Sequence, residues 1–433
     1  MRGHRTKQTY YAIVALTTLA QALIWGVNTL FLLDAGLDIF GVMVANAAFA
    51  AGMVLFEVPT GVVADTVGRR VSYLLCVAIL FVSTLLYVWF GAIHAGLAAF
   101  IGASVLLGLG YTFFTGAVEA WLVDALLAEG YTGKMEVVFA HGGIAQGVAM
   151  LVGTVLGGFL GQISLALPYV ARAAMLVPAG LLGLFLMRDI GFAARPLRLA
   201  NFGEETQAIA RTGVRYGLRD SVVRPLMIAG LVQGMFFMYG FYSWQRYFLD
   251  LLGRDLVWVN GLIAALVGVS SIAGAALVGP LRKRAWRRSS VVIAMVAAQA
   301  LLVVLAALLQ VFWIAVPLYL LSTLAFGVQQ PVRQAWLNAR IPSQQRATLI
   351  SLDALFADAG GAGGQVGLGW LSRTFSIPLA WVVGGAIQAA ALPFVWRARR
   401  ASHGETDTVV DEAEPLVVQT PDCSHPMAGK AAC

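Results

Sequence analysis

Apolar and polar positions alternate along the chain in long blocks. Continuous apolar stretches cover residues 9–33, 39–64, 71–92, 96–127, 136–162, 165–187, 224–250, 256–280, 289–309, 312–339, 347–371 and 376–396, with short polar interruptions between them. Crossing the hydrocarbon of a bilayer as a helix takes about 20 apolar residues. Backbone polar groups in lipid must also be satisfied within the segment, which selects helices for runs of this kind. The pattern therefore predicts an all-α membrane protein with twelve transmembrane helices.

The interruptions sort by charge. Arg2, Arg5 and Lys7 precede the first span, and every second connection after it is basic: Arg69 and Arg70, Lys134, Arg188 to Arg219, Arg282 to Arg288, Arg346, and Arg397 to Arg400. The alternate connections hold little beyond Asp34, Asp38, His94, Arg254, Asp255 and Arg373. Basic loops stay on the cytoplasmic side, so both termini are expected there. The longest connection divides the spans six and six. This gives an N-terminal half over 1–187, a cytoplasmic linker over 188–223, a C-terminal half over 224–396 and a disordered cytoplasmic tail over 397–433. Within the linker, Asn201 can cap a helix, Glu204 and Glu205 suit its first turn, and Ile209, Val214 and Leu218 form an apolar stripe. These signals predict an amphipathic surface helix. The segment Glu119-Ala120-Trp121-Leu122 has a counterpart in Gln334-Ala335-Trp336-Leu337, a weak repeat that fits two equivalent halves.

Composition agrees with a lipid solvent: of 433 residues, 59% are hydrophobic and 12% charged. The net charge of +7 lies in the connections, so topology accounts for it and nucleic acid is not called for. Cys76, Cys423 and Cys433 have no metal-ligand or disulfide spacing. No phosphate loop, His-Glu metal pattern or nucleophile motif interrupts the spans, so no cofactor, metal or enzymatic activity is expected. The first eight residues are short and basic, and the apolar run after them continues to full span length, so the first helix is expected to be retained. Arginine far exceeds lysine and Ala, Gly and Val dominate, as in GC-rich coding sequences; a bacterial inner membrane and a multi-pass monomer are expected.

The most specific pattern is Gly61-Val62-Val63-Ala64-Asp65-Thr66-Val67-Gly68-Arg69-Arg70, between the second and third spans. Gly61 permits close helix approach, Gly68 a tight turn, and Asp65 offers a carboxylate to a helix N-terminus or an arginine. Arg69 and Arg70 suit an anionic membrane face. In position and spacing this resembles the signature loop of the major facilitator superfamily, and the resemblance covers about residues 9–396. It implies two six-helix halves working by alternating access, with the loop acting as a latch on the cytoplasmic side. A second similar stretch holds Arg333, Trp336, Asn338, Pro342, Ser343 and Arg346. It implies a helix start at Pro342 and Ser343, with Arg346 in its first turn, facing the Asp65 loop. Two other family patterns fit less well: Ser104 stands where proton-coupled exporters often carry arginine, and Thr154 replaces a usual proline in Gly153-Thr154-Val155-Leu156-Gly157-Gly158. These glycines are read as close-packing positions rather than coupling elements.

Ionisable groups inside spans face a cavity or a partner. They are Glu57, Glu119, Asp124, His141, Arg172, Arg246, Arg333, Asp353 and Asp358. Glu57, Asp124 and Arg246 lie near span ends and are expected to snorkel; His141 is expected to be an ordinary helix residue. Glu119 is the first choice for a proton-coupling carboxylate or a partner of Arg333, with Asp353 and Asp358 next. Aromatic and Met side chains of the seventh span, chiefly Phe237, Tyr239 and Phe241, are expected to line a substrate cavity with Trp25, Asn28, Tyr111, Phe114 and Gln330. The expected function is ion-gradient-driven export, by an antiporter, of a small hydrophobic or amphiphilic compound, with protons or another ion as partner. Uptake or exchange of a polar metabolite is the alternative, and a transporter-like membrane sensor the rival from another class.

Overall fold

A computed structural model describes residues 3–114, 116–192, 217–282, 287–342, 345–402 and 407. Most of the expected linker helix, including Asn201, Ile209 and Val214, lies outside the described residues, as does nearly all of the tail. Among the described residues there are fifteen helices and no strand. They are α1 (His4–Ala22), α2 (Asn28–Asp34), α3 (Ile39–Thr66), α4 (Arg69–Ala92), α5 (Leu97–Thr112), α6 (Ala117–Ala128), α7 (Met135–Ile163), α8 (Leu167–Leu186), α9 (Val223–Leu252), α10 (Val257–Arg282), α11 (Arg288–Leu309), α12 (Phe312–Arg340), α13 (Arg346–Thr374), α14 (Ile377–Ala389) and α15 (Leu392–Ala401).

Fifteen helices make twelve spans because three spans are broken. The first span loses regular helix between Leu23 and Val27, where tighter bonds from Trp25 N–H to Ala22 O and from Val27 N–H to Ile24 O, both 3.1 Å, replace the helical ladder. The fourth breaks between Phe113 and Gly116, whose φ of 73° is left-handed. In the twelfth, Pro393 lacks the N–H that would continue the ladder from α14 into α15. That last helix runs to Ala401, so Arg397 to Ala401 are helical and do not belong to the tail expected from residue 397. Ten helical stretches are long and apolar enough to cross a membrane. The first span and α13 complete the twelve; they carry the polar groups Gln21, Asn28, Asp358 and Gln365, and these turn inward rather than to lipid.

Each half has its own core. Two buried clusters, one around Tyr73, Leu80 and Trp121 and one around Phe31, Phe100 and Tyr169, are built from the first six spans. Two others, around Trp336 and around Trp381 and Phe248, are built from the last six, with Met43 the one buried member contributed from across the divide. The sequence repeat has a structural meaning. Trp121 and Trp336 are both fully enclosed, and each indole N–H is donated to the end of the last helix of its own half, to Arg188 O at 2.7 Å and to Ser402 Oγ at 3.3 Å.

Candidate functional site: a cavity between the two halves

Among the described residues, the hydrogen bonds and ion pairs that join the halves lie at the end opposite the basic connections. There the backbone N–H of Thr29 is donated to Gln245 Oε1 at 2.8 Å, Thr29 Oγ1–H to Tyr242 O at 2.8 Å, and the Gln245 amide to Trp25 O at 2.9 Å. The break in the first span exposes these backbone groups, and a fully buried glutamine of α9 satisfies them. Nearby, α7 and α10 touch backbone to backbone: a Cβ on Gly158 would lie 2.7 Å from Gly261 Cα and 3.0 Å from Trp258 O. Phe159 and Trp258 stack at 5.9 Å, and Arg373 pairs with Asp38 at 2.9 Å. Thr154 and the glycines after it thus form packing surface, Gly158 against α10 and Gly157 against the break at Leu23.

At the basic end each half is tied to itself. Asp65 pairs with Arg69 one turn on, at 2.6 Å, and both are partly exposed. The Arg70 N–H is donated to Asp189 Oδ1 at 3.0 Å, and its guanidinium to Leu184 O at the end of α8. Gly68 has φ 125°, and a Cβ there would strike the Asp189 carboxylate, so glycine is required for this capture. Burial pushes the Asp189 carboxyl above the ordinary carboxylate value, against the opposing pull of the Arg70 N–H and the two arginines. Nothing lies within 4 Å of a Cβ placed on Gly61. Arg346 is exposed at the start of α13, and among the described residues it forms no hydrogen bond or ion pair with the Asp65 loop. That helix begins at Arg346 rather than at Pro342, and Ser343 lies outside the described residues. Among the described residues no hydrogen bond or ion pair joins the halves at this end.

Between the closed and open ends lies a cavity of about 320 Å³. Three helical faces supply much of it, at helical spacings: Gln21, Trp25 and Asn28 from the first span and Asn46, Phe49, Ala50 and Met53 from α3, spaced by three, four and seven residues, and Asp358 and Gln365 from α13, spaced by seven. Phe237, Met238, Phe241 and Tyr242 come from α9, Tyr87 from α4, Leu107 and Tyr111 from α5, and Arg172 from α8. Of the residues expected here from sequence, Trp25, Asn28, Tyr111, Phe237 and Phe241 line it. Tyr239 does not: two residues past Phe237, it projects from a different face of α9 and is buried in the C-terminal core, 2.5 Å from Ser372 Oγ. Phe114 packs beside Tyr73 on the N-terminal core. Gln330 lines a second cavity of about 280 Å³ toward the basic end, which shares Phe237, Met238 and Asp358 with the first.

Arg333 and Asp353 lie in this second cavity, joined by two hydrogen bonds of 2.8 and 2.6 Å, and the Arg333 guanidinium also reaches Leu226 O at 2.9 Å. Asp353 therefore takes the place expected for Glu119 as the partner of Arg333. Glu119 is exposed in the first turn of α6 and is not among the residues that line the central cavity. Asp358 is half-buried at the junction of the two cavities, with no ion-pair or hydrogen-bond partner among the described residues. Glu57 and His141 are exposed, and Arg246 reaches Asp250 at 2.8 Å on the surface. Ser104 accepts or donates a 2.5 Å hydrogen bond with Tyr87. Sequence reasoning assigned no role to Arg172, Gln21, Asn46 or Gln365. The seven-residue spacing of Gln21 to Asn28 and of Asp358 to Gln365 was the available signal.

Inward-turned polar stripes and a central cavity between two separately cored halves suit a carrier, and comparison with known proteins agrees. Residues 10–364 match the model of the Major Facilitator Superfamily. The chain belongs to that superfamily. This facilitator is 29% identical over 66% of its length to a tetracycline resistance protein of class C from Escherichia coli, covering 71% of that protein. It is 27% identical over 81% of its length to the class G protein from Vibrio anguillarum, covering 86% of it. Among solved structures, the nucleoside transporter NupG superposes with a TM-score of 0.73 at 12% identity, over 92% of the facilitator and 98% of NupG. The facilitator is thus a multi-pass membrane transporter.

Proposed function

We propose that this facilitator exports small amphiphilic compounds across a bacterial inner membrane, driven by a proton gradient, with Asp358 as the carboxylate that carries the proton. The observation that supports export of amphiphiles is the wall of the central cavity, where the apolar side chains Phe49, Met53, Phe237 and Phe241 share the space with polar ones such as Gln21, Asn46 and Asp358. The positive-inside rule puts the basic end in the cytoplasm, so the open end admits compounds from inside the cell. The names of the two resistance-protein relatives support the outward direction. Asp358 is preferred because it stands where the two cavities meet and has no partner among the described residues, whereas Asp353 is bound to Arg333. An unpartnered carboxylate at that junction is free to take up a proton in one conformation and release it in the other. The Asp65 loop and Arg346 are proposed to meet when the basic end closes.

The test is transport into inside-out proteoliposomes with an imposed pH gradient, using a panel of aromatic amphiphiles that includes tetracycline. The gradient should accelerate accumulation of at least one compound. Asp358→Asn should remove that acceleration, while exchange of labelled for unlabelled compound without a gradient continues. Acceleration that survives Asp358→Asn and disappears in Glu119→Gln would return the role to Glu119. No gradient response for any compound would sink the proposal.

A further inference from the structure

The central cavity contains a charge that gradient coupling leaves unused. Arg172 is only 3% exposed yet lines the cavity, and its Nε is buried without a partner. No hydrogen bond or ion pair from the described residues reaches its guanidinium. The titratable groups that act on its charge are the phenols of Tyr169, Tyr111 and Tyr87 and the thiol of Cys76, and Asp358, the carboxylate on the same cavity wall, forms no ion pair with it. All three phenols are already engaged: Tyr169 with Asn28 Oδ1 at 2.7 Å, Tyr87 with Ser104 Oγ at 2.5 Å, and Tyr111 with Gln21 Oε1. That last bond leaves the Gln21 amide nitrogen, also buried, without an acceptor. Two donors on the wall of one cavity, a guanidinium and an amide, thus lack any acceptor. Arg333, by contrast, spends both terminal nitrogens on Asp353 and Leu226 O and leaves only its Nε without a partner.

An arginine cannot escape by losing its proton, and an isolated charge at membrane depth is expensive enough that such residues mark ligand pathways. The missing complement is an oxyanion, which a guanidinium fork binds with two parallel hydrogen bonds. We propose that Arg172 and Gln21 form the anion-recognising end of the cavity, and that the facilitator's substrates are organic monoanions. The oxyanion sits at Arg172 and the apolar body lies along Phe49, Met53, Phe237 and Phe241. This rests on the export reading for its transport sense, but the binding site stands or falls separately.

The experiment is equilibrium binding of tritiated 1-naphthoate and of its neutral counterpart 1-naphthamide, at neutral pH, to protein in lipid nanodiscs, with empty nanodiscs subtracted and no gradient present. The parent should bind the acid at least tenfold more tightly than the amide. Arg172→Gln should abolish that preference while leaving amide binding unchanged, and Arg172→Lys should keep part of it. Gln21→Leu, which leaves the guanidinium in place, should weaken acid binding several-fold and serves if Arg172→Gln does not fold. Equal binding of acid and amide by the parent overturns the anion site, and so does a preference that persists in Arg172→Gln. A protein that binds naphthoate selectively but moves nothing under a gradient overturns the export reading alone.

Discussion

The two ends of the bundle hold themselves together by opposite means. At the end away from the basic loops the halves are joined to each other, through the Thr29, Trp25 and Gln245 hydrogen bonds and the glycine contact of α7 with α10. At the basic end each half is joined to itself, Asp65 to Arg69, Arg70 to the end of α8, and Trp121 and Trp336 to the final helices of their halves. The closed end is built of buried, fully satisfied backbone groups. The open end is built of half-exposed charges that can change partners at little cost. A carrier needs that asymmetry in any one state, and under the proposed function the exposed charges form the opposite seal.

The largest expected effect comes from the closed end. Gly158→Leu places a side chain where Gly261 and Trp258 already touch the backbone, and overpacking of this kind costs about 1–3 kcal/mol. With the native cysteines replaced and Trp25→Cys introduced, a membrane-impermeant thiol reagent added on the far side should label the cavity more than tenfold faster once Gly158→Leu is present. Unchanged labelling would mean the glycine contact is not the seal. Next comes Gln245→Leu, which strips partners from Thr29 N–H and Trp25 O and leaves buried groups unsatisfied, each at about 1–3 kcal/mol. The same labelling should rise several-fold, less than for Gly158→Leu because water can enter the break; an effect larger than that of Gly158→Leu would reverse the ranking. The smallest change in stability belongs to Asp65→Asn. Its ion pair is a half-exposed i,i+4 contact, worth about 0.3–0.5 kcal/mol, so thermal unfolding in nanodiscs should shift by no more than a degree or two while turnover falls. A large loss of stability would show that the loop already bears weight in this state.

Much of the fold was legible because hydropathy is a one-dimensional signal and bilayer thickness sets its period. All twelve expected spans have helical counterparts, and the Asp65 loop falls between α3 and α4 as its glycines require. The breaks at Leu23–Val27 and Phe113–Gly116 were not legible, since Gly26 and Gly116 look like any other glycine in an apolar run and only tertiary contacts select them. Glu119, just beyond the second break, reads as a deep carboxylate and is instead exposed. The pairing of Arg333 with Asp353 crosses from α12 to α13 and has no local signature. Tyr239 was a different kind of miss: residues 237, 238, 241 and 242 share a face of α9, and applying the 3.6-residue period would have excluded it. Arg172 was visible as a charge in a span, but its lack of a partner is a fact about three dimensions.

The glycine contact between α7 and α10 also bears on how readily the carrier can switch. A seal of interdigitated leucines must freeze rotamers each time it forms, at roughly 0.5–1 kcal/mol for each side chain. Gly158 and Gly261 have no rotamers to freeze, and the backbone beside them is already ordered within its helices. The closure gains its dispersion energy with almost no conformational entropy lost on forming and almost none regained on parting. Opening and closing at this end are then limited by the hydrogen bonds of Gln245 and by water entry, not by a disordering transition of the wall.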